Sequence, residues 1–418
     1  MEMRPGYKQT EVGVVPDDWN ATLLTDISQK ITDGDHATPK REKDGYFLLS
    51  ARNVLNGRID VSDVDFVGEI EYRRMRQRCN PEVEDILVSC SGTIGRVSVV
   101  PPNFECVLVR SVALIKNDKR ISSGAFIHYW LQGAHAQKQI YNSINQGAQP
   151  NLFLNHIERL ALPLPALREQ CAIATVLSDV DALLSSLDAL IAKKRDIKQA
   201  AMQQLLTGKT RLPGFSGEWE VRRLGELGAT YGGLVGKSKK DFGHGVAQYV
   251  PFVNVMANVV IDPDAFDAVD VGVGEVQNKV LIGDLLFNGS SETPEELAMC
   301  SLVDRKIENL FLNSFCFGFR MKIDAPANGL FMAYFMRGPV GREFVKSLAQ
   351  GSTRYNLSKL ALLNGQLRLP GKDEQAAIAK VLSDMDAELA ALEARRDKTR
   401  LLKQGMMQEL LTGKTRLV

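Results

Sequence analysis

A 44-residue segment occurs twice in this chain and constrains its fold more than any other feature. Residues 169–212 and 374–417 align without a gap at an offset of 205, and about 28 of the 44 positions are identical. Chance does not produce such a match, and the period is about half of the 418 residues. The pattern therefore indicates one internal duplication and not a solenoid of short repeats.

Each copy has apolar residues at alternating spacings of four and three, which is typical of a coiled-coil seam. Pro165 and Pro370 precede the two segments, and Gly208 and Gly413 follow them, as expected at the starts and ends of helices. We therefore predict two helices of about 40 residues, each roughly 60 Å long. The seam residues are Ile173, Leu177, Val180, Leu184, Leu187, Ile191, Ile378, Leu382, Met385, Leu389 and Leu392.

A long amphipathic helix cannot bury its own apolar stripe, and the simplest partner for each helix is its twin. One helix leaves the first globular region and the other leaves the second, so a packed pair must run antiparallel. The sequence thus predicts two long antiparallel helices that form a coiled coil with pseudo-two-fold internal duplication. In the alternative, each helix packs only on its own domain, which explains less well why the two segments are so alike.

The regions outside the repeat share a frame but differ in detail. Phe126, Tyr129 and Gly133 recur at the same offset, and Trp19 matches Trp219. Short alternating strands and one late helix in each half predict an α+β fold with two similar α/β domains. We assign residues 1–165 and 209–370 to these domains and residues 166–208 and 371–418 to the helical spacers. The strand candidates are Tyr46–Leu49, Asp85–Ser89, Arg96–Val100, Val107–Ile115, Tyr249–Val255, Asp284–Asn288 and Phe315–Ile323, and the late helices are 124–143 and 328–348.

The composition narrows the possible roles. With 51 Lys and Arg against 50 Asp and Glu, any nucleic-acid binding must use local basic patches or charge supplied by a partner. The six cysteines show no CxxC pair and no zinc spacing. No apolar run approaches the ~18 residues that a membrane span needs. We therefore expect a cytoplasmic protein with reduced thiols and no membrane contact.

Catalytic motifs fail when they are compared with their full patterns. Gly208-Lys209-Thr210 resembles the end of a phosphate-binding loop, but glutamine stands at position 203, where that loop needs glycine. The chain has no Asn-Pro-Pro-Phe methyltransferase motif, no nucleophile elbow and no metal-binding histidine pair. We therefore expect no catalytic residue, no metal and no cofactor on this chain.

Polar loops and basic runs are the candidates for contacts with DNA. Base edges are read by amide, hydroxyl, basic and acidic side chains, and phosphates are bound by Arg, Lys and backbone N–H groups. Each motif alone is more often a plain turn or a solvated face, so the argument depends on their recurrence in both domains. The candidates in the first domain are Asp33, His36, Thr38, Lys40, Arg41, Arg73, Arg74, Arg76, Ser91, Thr93, Gln149 and Asn151. Those in the second are Lys237, Ser238, Lys239, Lys240, Asn288, Ser290, Ser291, Glu292, Thr293, Thr353, Arg354 and Asn356.

The order of domain, helix, domain, helix resembles the DNA-specificity subunit of type I restriction–modification systems over essentially the whole chain. Segment 283–296 also resembles one used in these domains, whereas the first copy departs from it at Glu84 and at Ser91–Gly95. The residues that carry the resemblance are Leu162-Pro163, Glu169-Gln170, Ile173, Leu177, Asp181 and Leu205–Gly208, with second copies at Leu369-Pro370, Glu374-Gln375, Ile378, Leu382, Asp386 and Leu410–Gly413.

The resemblance implies a non-catalytic subunit in which each target-recognition domain reads one half of a bipartite site in double-stranded DNA. It also implies that the helices set the gap between the halves and dock two methyltransferase subunits, joined in some systems by two restriction subunits that translocate DNA. S-adenosylmethionine, ATP and Mg are then expected on the partners and not on this chain. The residues alone leave one alternative open, a coiled-coil assembly protein whose end domains bind proteins or ligands other than DNA.

Overall fold

The computed structural model describes residues 5–144, 150–272 and 274–417. The chain divides into two compact units, one formed by Met1–Asp188 with Ala394–Val418 and the other by Ala189–Glu393. We call these unit 1 and unit 2. The division cuts both long helices, so each unit contains the first part of one helix and the last part of the other.

Unit 1 combines a globular region with the first part of helix α5. Its helices are α1 (Glu69–Arg78), α2 (Gly124–Gln132), α3 (Ala134–Ser143), α4 (Leu154–Glu158) and α5 (Leu167–Leu205, which continues into unit 2). Its strands are β1 (Tyr7–Thr10), β2 (Gly13–Pro16), β3 (Asn20–Leu23), β4 (Ser28–Asp33), β5 (Arg41–Glu42), β6 (Tyr46–Leu49), β7 (Val54–Leu55), β8 (Arg58–Ile59), β9 (Asp65–Val67), β10 (Ile86–Ser89), β11 (Val97–Val99), β12 (Cys106–Leu108), β13 (Val112–Asn117) and β14 (Ala161–Leu164).

Unit 2 repeats this layout with local differences. Its helices are α6 (Leu224–Leu227), α7 (Phe252–Ala257), α8 (Gly329–Arg337), α9 (Pro339–Leu348), α10 (Lys359–Asn364) and α11 (Lys372–Leu410, which continues into unit 1). Its strands are β15 (Glu220–Arg223), β16 (Gly228–Gly232), β17 (Phe242–Val250), β18 (Asp267–Val269), β19 (Leu285–Asn288), β20 (Ser290–Ser291), β21 (Cys300–Leu302), β22 (Leu310–Leu312), β23 (Cys316–Met321), β24 (Ala349–Gln350), β25 (Tyr355–Leu357) and β26 (Gln366–Leu369).

Each unit is built around one antiparallel four-stranded sheet. The strand orders are β11-β10-β13-β4 in unit 1 and β21-β19-β23-β16 in unit 2. The last residues of the β10 and β19 strands, Ser89 and Asn288, pair with the first residues of the next strand in the sheet, Val112 and Cys316. Because neighbouring strands are antiparallel, strand ends and strand starts alternate along one edge of the sheet. That edge collects loops from distant parts of the sequence.

The secondary structure confirms some sequence predictions and corrects others. The strand Tyr46–Leu49 is confirmed. A continuous strand Val107–Ile115 is wrong, because the chain leaves a parallel pairing with β6 after Leu108 and joins the antiparallel sheet at Val112. The strand predicted over Tyr249–Val255 is also wrong beyond Val250, where Pro251, which has no N–H for a sheet, precedes helix α7.

The late helices predicted at 124–143 and 328–348 are each broken in two. The breaks fall at Gly133 and Gly338, which separate α2 from α3 and α8 from α9. A Cβ on Gly133 would lie 3.0 Å from the Trp130 carbonyl oxygen, and one on Gly338 would lie 2.6 Å from a Leu206 methyl group. Glycine therefore relieves tight contacts at both corners, which lie beside the residues that follow a long helix.

The Glu-Gln pair that opens each long helix fastens the helix to the globular region. In unit 1 the Gln170 amide accepts a hydrogen bond from the backbone N–H of Ser123 and donates to the carbonyls of Ile121 and Pro165. The Gln375 amide makes the same three bonds in unit 2, to Asn328, Pro326 and Pro370. Both side chains are fully buried, so the helix direction is fixed at its first turn.

The preceding glutamate binds an arginine that lies beyond the end of the other helix. Glu169 is 1% exposed and accepts two hydrogen bonds from Arg416, which also forms a bidentate pair with Asp18. The indole N–H of Trp19 donates to the same carboxylate at 3.1 Å. In unit 2, Arg211 forms the corresponding bidentate pair with Glu374.

A second repeated contact joins the helices one third of the way along. Lys403 of α11 binds both carboxylate oxygens of Asp181, at 2.6 and 2.8 Å, and the hydroxyl of Tyr129 donates to the same group. In unit 2, Lys198 donates to one carboxylate oxygen of Asp386, and the hydroxyl of Tyr334 donates to the other. Within each unit the two helices therefore run antiparallel. The seam residues are buried or half-buried: Ile173, Leu177, Val180, Leu184, Leu187, Ile191, Ile378, Leu382, Met385, Leu389 and Leu392.

Across the described ranges, every helix is either too short or too polar to cross a lipid bilayer.

The Arg416 contact predicts a stability change. Replacing Arg416 by alanine leaves the buried Glu169 carboxylate without its cation, and loss of one partner of a buried pair costs about 3 kcal/mol. We expect Arg416→Ala to lower the free energy of unfolding by roughly that amount in chemical denaturation. The exposed neighbour Lys414→Ala is the control and should change it by less than about 0.5 kcal/mol. Equal stability of the two variants would contradict the proposed role of the pair.

A buried histidine predicts a pH dependence. His128 is buried, and burial, helped by the charge of Lys403, lowers its pKa from 6.5 to about 4. The folded state disfavours the protonated imidazole. The contribution of neutral His128 to the free energy of unfolding is therefore complete above pH 6.5 and is lost as the pH falls toward 4.

We expect the wild type to lose up to about 3 kcal/mol relative to His128→Leu over this range. Unfolding curves of both proteins, measured at several pH values, test this. Parallel loss of stability in the two would show that His128 does not titrate in the folded state as described.

Candidate nucleic-acid interface

One edge of the unit 1 sheet joins four separate segments through backbone hydrogen bonds, and we call it edge 1. Gly34 donates to Val112, and Asp35 pairs with Val109. The Cys90 N–H donates to the carbonyl of Ser111, and Leu152 donates to Cys90. The residues after β4, after β10, before β13 and around position 151 therefore form one continuous surface.

Several sequence-predicted residues meet at edge 1. Ser91 and Asn151 form an isolated bridge, and Thr93 lies exposed at the tip of the turn between β10 and β11. We call residues 90–95 loop 1. Gln149 lies outside the described residues. Thr38 and Lys40 are exposed in the segment that follows β4.

A paired carboxylate lies beside edge 1. Asp33 accepts hydrogen bonds from Arg78 at 2.7 Å and from His36 at 2.6 Å. Although burial alone raises its pKa, these two hydrogen bonds outweigh burial and lower the pKa of the Asp33 carboxyl. Asp33 therefore stays charged at neutral pH and holds His36 at the surface.

The basic run of helix α1 is largely neutralised by its own neighbours. Arg73 pairs with Glu69, and Arg74 pairs with both Glu71 and Asp35. The guanidinium of Arg76 donates to the hydroxyl of Tyr72. Arg41, on β5, pairs with Asp65. The positive charge that the sequence suggests for this face is thus smaller than a count of arginines indicates.

Unit 2 presents an equivalent surface, edge 2. Gly289 donates to the carbonyl of Phe315, and Leu357 donates to Gly289. The short strand β20 pairs antiparallel with β25, which places Ser290 opposite Asn356 and Ser291 opposite Tyr355. The two motifs that the sequence singled out, 60 residues apart, are therefore adjacent in space.

The segment after β19, residues 289–299, forms loop 2 of edge 2. Ser290 and Ser291 are 9% and 8% exposed, whereas Glu292 and Thr293 are exposed at the tip. Asn288 is buried, and its amide donates to the carbonyls of Ser290 and Glu296 and accepts from Met299. Glu292 and Thr293 can meet a ligand directly, while Asn288 shapes the loop.

The remaining predicted residues of unit 2 follow strand β16 or lie on and beside strand β25. Lys237 is 9% exposed and pairs with Glu275, and Ser238 binds Asp241 through its hydroxyl and backbone N–H. Lys239 and Lys240 are exposed in the segment after β16, Thr353 and Arg354 are exposed between β24 and β25, and Asn356 is exposed on β25. This set carries three positive charges that are accessible to a ligand.

Sequence analysis did not identify several residues that support these edges through hydrogen bonds. Ser111 joins two segments of edge 1, because its carbonyl accepts from Cys90 and its hydroxyl accepts from Ala51. Gln137 and Arg342 reach loops 1 and 2 from neighbouring helices. Gln137 and Arg342 occupy equivalent positions at the 205-residue offset. Because glutamine and arginine differ in type, a comparison of the two copies does not mark this position as functional.

Within the residues that the structure describes, no cluster of three or more His, Cys, Asp or Glu side chains could hold a metal ion.

Comparison with known families finds one that matches most of the chain. Its model, described as type I restriction modification DNA specificity domain, matches residues 16–194 and again residues 216–401. The two matches follow the internal duplication. They also include both edges and most of both long helices.

Individual relatives are similar over nearly the full length. A putative type I restriction enzyme MjaX specificity subunit of Methanocaldococcus jannaschii is 25% identical, covering 98% of this chain and 97% of that protein. The EcoKI specificity subunit of Escherichia coli K12 is 23% identical, over 91% of this chain and 85% of its own length.

Solved structures share the fold. The S subunit of a type I restriction–modification system from M. genitalium superposes with a TM-score of 0.59 at 15% identity, covering 98% of this chain and 99% of its own. A chain from a structural study of type I R-M complex assembly gives 0.56 over 96% and 99%. The predicted α+β architecture with duplicated domains and long antiparallel helices is confirmed.

Proposed function

The chain belongs to the type I restriction modification DNA specificity family, and we propose that it is the non-catalytic DNA-specificity subunit of a type I restriction–modification complex. The observation that carries this proposal is the repeated edge. Both units build the same sheet edge from the same order of strands, but their loops differ in sequence. Two domains with the same sheet but different loop residues are suited to recognising two different half-sites.

In this proposal, residues 1–165 and 209–370 are the two target-recognition domains, and each reads one half of a bipartite site in double-stranded DNA. Edge 1 would use Ser91, Thr93, Asn151 and the Asp33–His36 pair, and edge 2 would use Glu292, Thr293, Arg354 and Asn356. Carboxylate, amide and hydroxyl groups of these kinds read base edges in the major groove. The paired arginines of α1 contribute to phosphate binding only where DNA competes with their carboxylates.

The long helices, residues 166–208 and 371–418, would act as the spacer that sets the gap between half-sites and as the docking surface for two methyltransferase subunits. Restriction subunits, where present, would complete the complex in the cytoplasm. S-adenosylmethionine, ATP and Mg would be bound by these partners. A near-neutral chain fits this assignment, because partners around the duplex share the neutralisation of phosphates.

The assignment is tested by expressing the chain with and without a methyltransferase subunit from the same host. The complex should methylate a bipartite target, and the isolated chain should transfer no labelled methyl groups to DNA. Methylation by the isolated chain would refute the non-catalytic role. Failure of the complex to retain DNA even at low salt would favour a protein-binding assembly role.

The exposed lysines in the segment after β16 predict a salt effect. If Lys239 and Lys240 bind phosphates, replacing both by alanine should reduce the slope of log affinity against log salt by about 2 and weaken binding to all sequences alike. Filter binding by the complex at several salt concentrations measures the slope. Lys306 and Lys322 follow the opposite ends of β21 and β23, so the double alanine variant at these positions is the control and should leave the slope unchanged.

The exposed tips predict changes of sequence choice. Glu292→Ala with Thr293→Ala should alter base preference in one half-site, at about 1–3 kcal/mol per lost base contact. Thr93→Ala, at the tip of loop 1, should affect the other half-site. Selection from a random duplex library by the assembled complex gives both preferences. If the wild type and both variants select identical sites, these loop residues do not contribute to base recognition.

A further inference from the structure

A long polar side chain supports the backbone of loop 1, and another supports that of loop 2. Each comes from the helix that follows the break at Gly133 or Gly338. In unit 1 this side chain is Gln137 of α3, and in unit 2 it is Arg342 of α9. The two positions are related by the 205-residue offset of the duplication. The chemical groups differ, but the atoms that they bind correspond.

Gln137 ties loop 1 to the corner between α2 and α3. Its amide nitrogen lies 2.9 Å from the Gly95 carbonyl oxygen and 2.7 Å from that of Leu131, the penultimate residue of α2. Gly95 has a φ of +79°, and a Cβ there would lie 3.2 Å from the Gln137 amide oxygen. The glutamine is thus packed against the loop as well as bonded to it.

Arg342 does the same for loop 2. Its guanidinium donates to the carbonyls of Leu297 and Ala298 in the loop and, at 3.3 Å, to that of Met336, the penultimate residue of α8. Ala298 has a φ of +50°, an unusual conformation for alanine. Burial, together with the nearby charge of Arg337, lowers the pKa of Arg342. A half-buried cation that bonds to loop carbonyls holds backbone geometry.

Each loop is also held from its own strand. The Ser89 hydroxyl accepts from the Arg96 N–H and donates to the Thr93 carbonyl, and Asn288 makes the three bonds described above. Two contacts from independent directions, strand end and helix, therefore fix each loop. The exposed tips lie between these two points.

We propose that Gln137 and Arg342 are the positioning residues of the two recognition loops, each controlling discrimination within its own half-site; this rests on the proposed function. Hydrogen bonds to base edges weaken steeply when donor and acceptor lose alignment. A loop that is free to shift accommodates wrong bases, so specificity falls more than affinity does.

The test uses Gln137→Met and Arg342→Met, which keep side-chain volume but remove the donors. Each full-length variant is assembled with the co-expressed methyltransferase and selects duplexes from a random library. We expect Gln137→Met to reduce discrimination in one half-site by at least about fivefold, and Arg342→Met in the other, given about 1 kcal/mol or more per base contact. The untouched half-site and the gap should match the wild type.

Exposed neighbours on the same helices provide matched controls. Lys138→Met on α3 and Val340→Met on α9 should leave both half-sites unchanged. Thermal unfolding is measured for all variants, and selection is performed well below the lowest midpoint. Arg342→Lys keeps a cation and a hydrogen-bond donor, so it should discriminate between bases better than Arg342→Met. If the methionine variant does not fold, the lysine variant replaces it in the comparison with the wild type.

The outcomes separate the two proposals. If the wild-type complex selects no sequence, the proposed function fails and the positioning role fails with it. If the wild type selects a bipartite site but folded Gln137 and Arg342 variants select it equally well, the positioning role alone is overturned. Equal relaxation of both half-sites by either variant overturns it too, because a general loss of stability would then explain the result.

Discussion

A buried carboxylate held by an arginine from the far end of the other helix is the contact on which the rest of the structure depends. Glu169 with Arg416, and Glu374 with Arg211, bring the segment just beyond one helix against the first turn of the other. A buried carboxylate is costly unless it is paired and hydrogen-bonded. Each pair therefore demands one register, and the buried seam residues follow that register along the helices.

The units use a common method to present different chemistry. The four-stranded sheet, the glycine corner and the glutamine at the helix start are nearly the same in both. The loops beyond the sheet edge differ, with Ser91 and Thr93 in one and Glu292 and Thr293 in the other. Because the frame carries the packing and the tips carry little of it, the tips can change their residues at small cost to stability. This is a physical basis for pairing a fixed mechanical role with two independent recognition roles.

Several basic side chains of the described residues are paired with carboxylates of the same chain. Arg73 and Arg74 contact carboxylates on their own helix, Lys237 contacts Glu275, and Lys198 and Lys403 contact aspartates across the coiled coil. The exposed pairs of Arg73 and Arg74 are worth little to stability, but all of these pairs reduce the field that would attract DNA without regard to sequence. The balance favours specific contacts over general affinity for phosphates.

The duplication, the long helices and their seam could be predicted from the sequence alone. A regular apolar spacing predicts a helix whose apolar stripe packs against a partner helix. The sequence also identified Ser290–Thr293 and Asn356 as candidate readers from their residue types, although it could not show that they adjoin. Only the tertiary structure decided that the strand over Val107–Ile115 divides between two sheets, that α1 is neutralised, and that Gln137 and Arg342 support the loops. Those features depend on contacts between residues tens to hundreds of positions apart, and local patterns carry no information on which distant groups will meet.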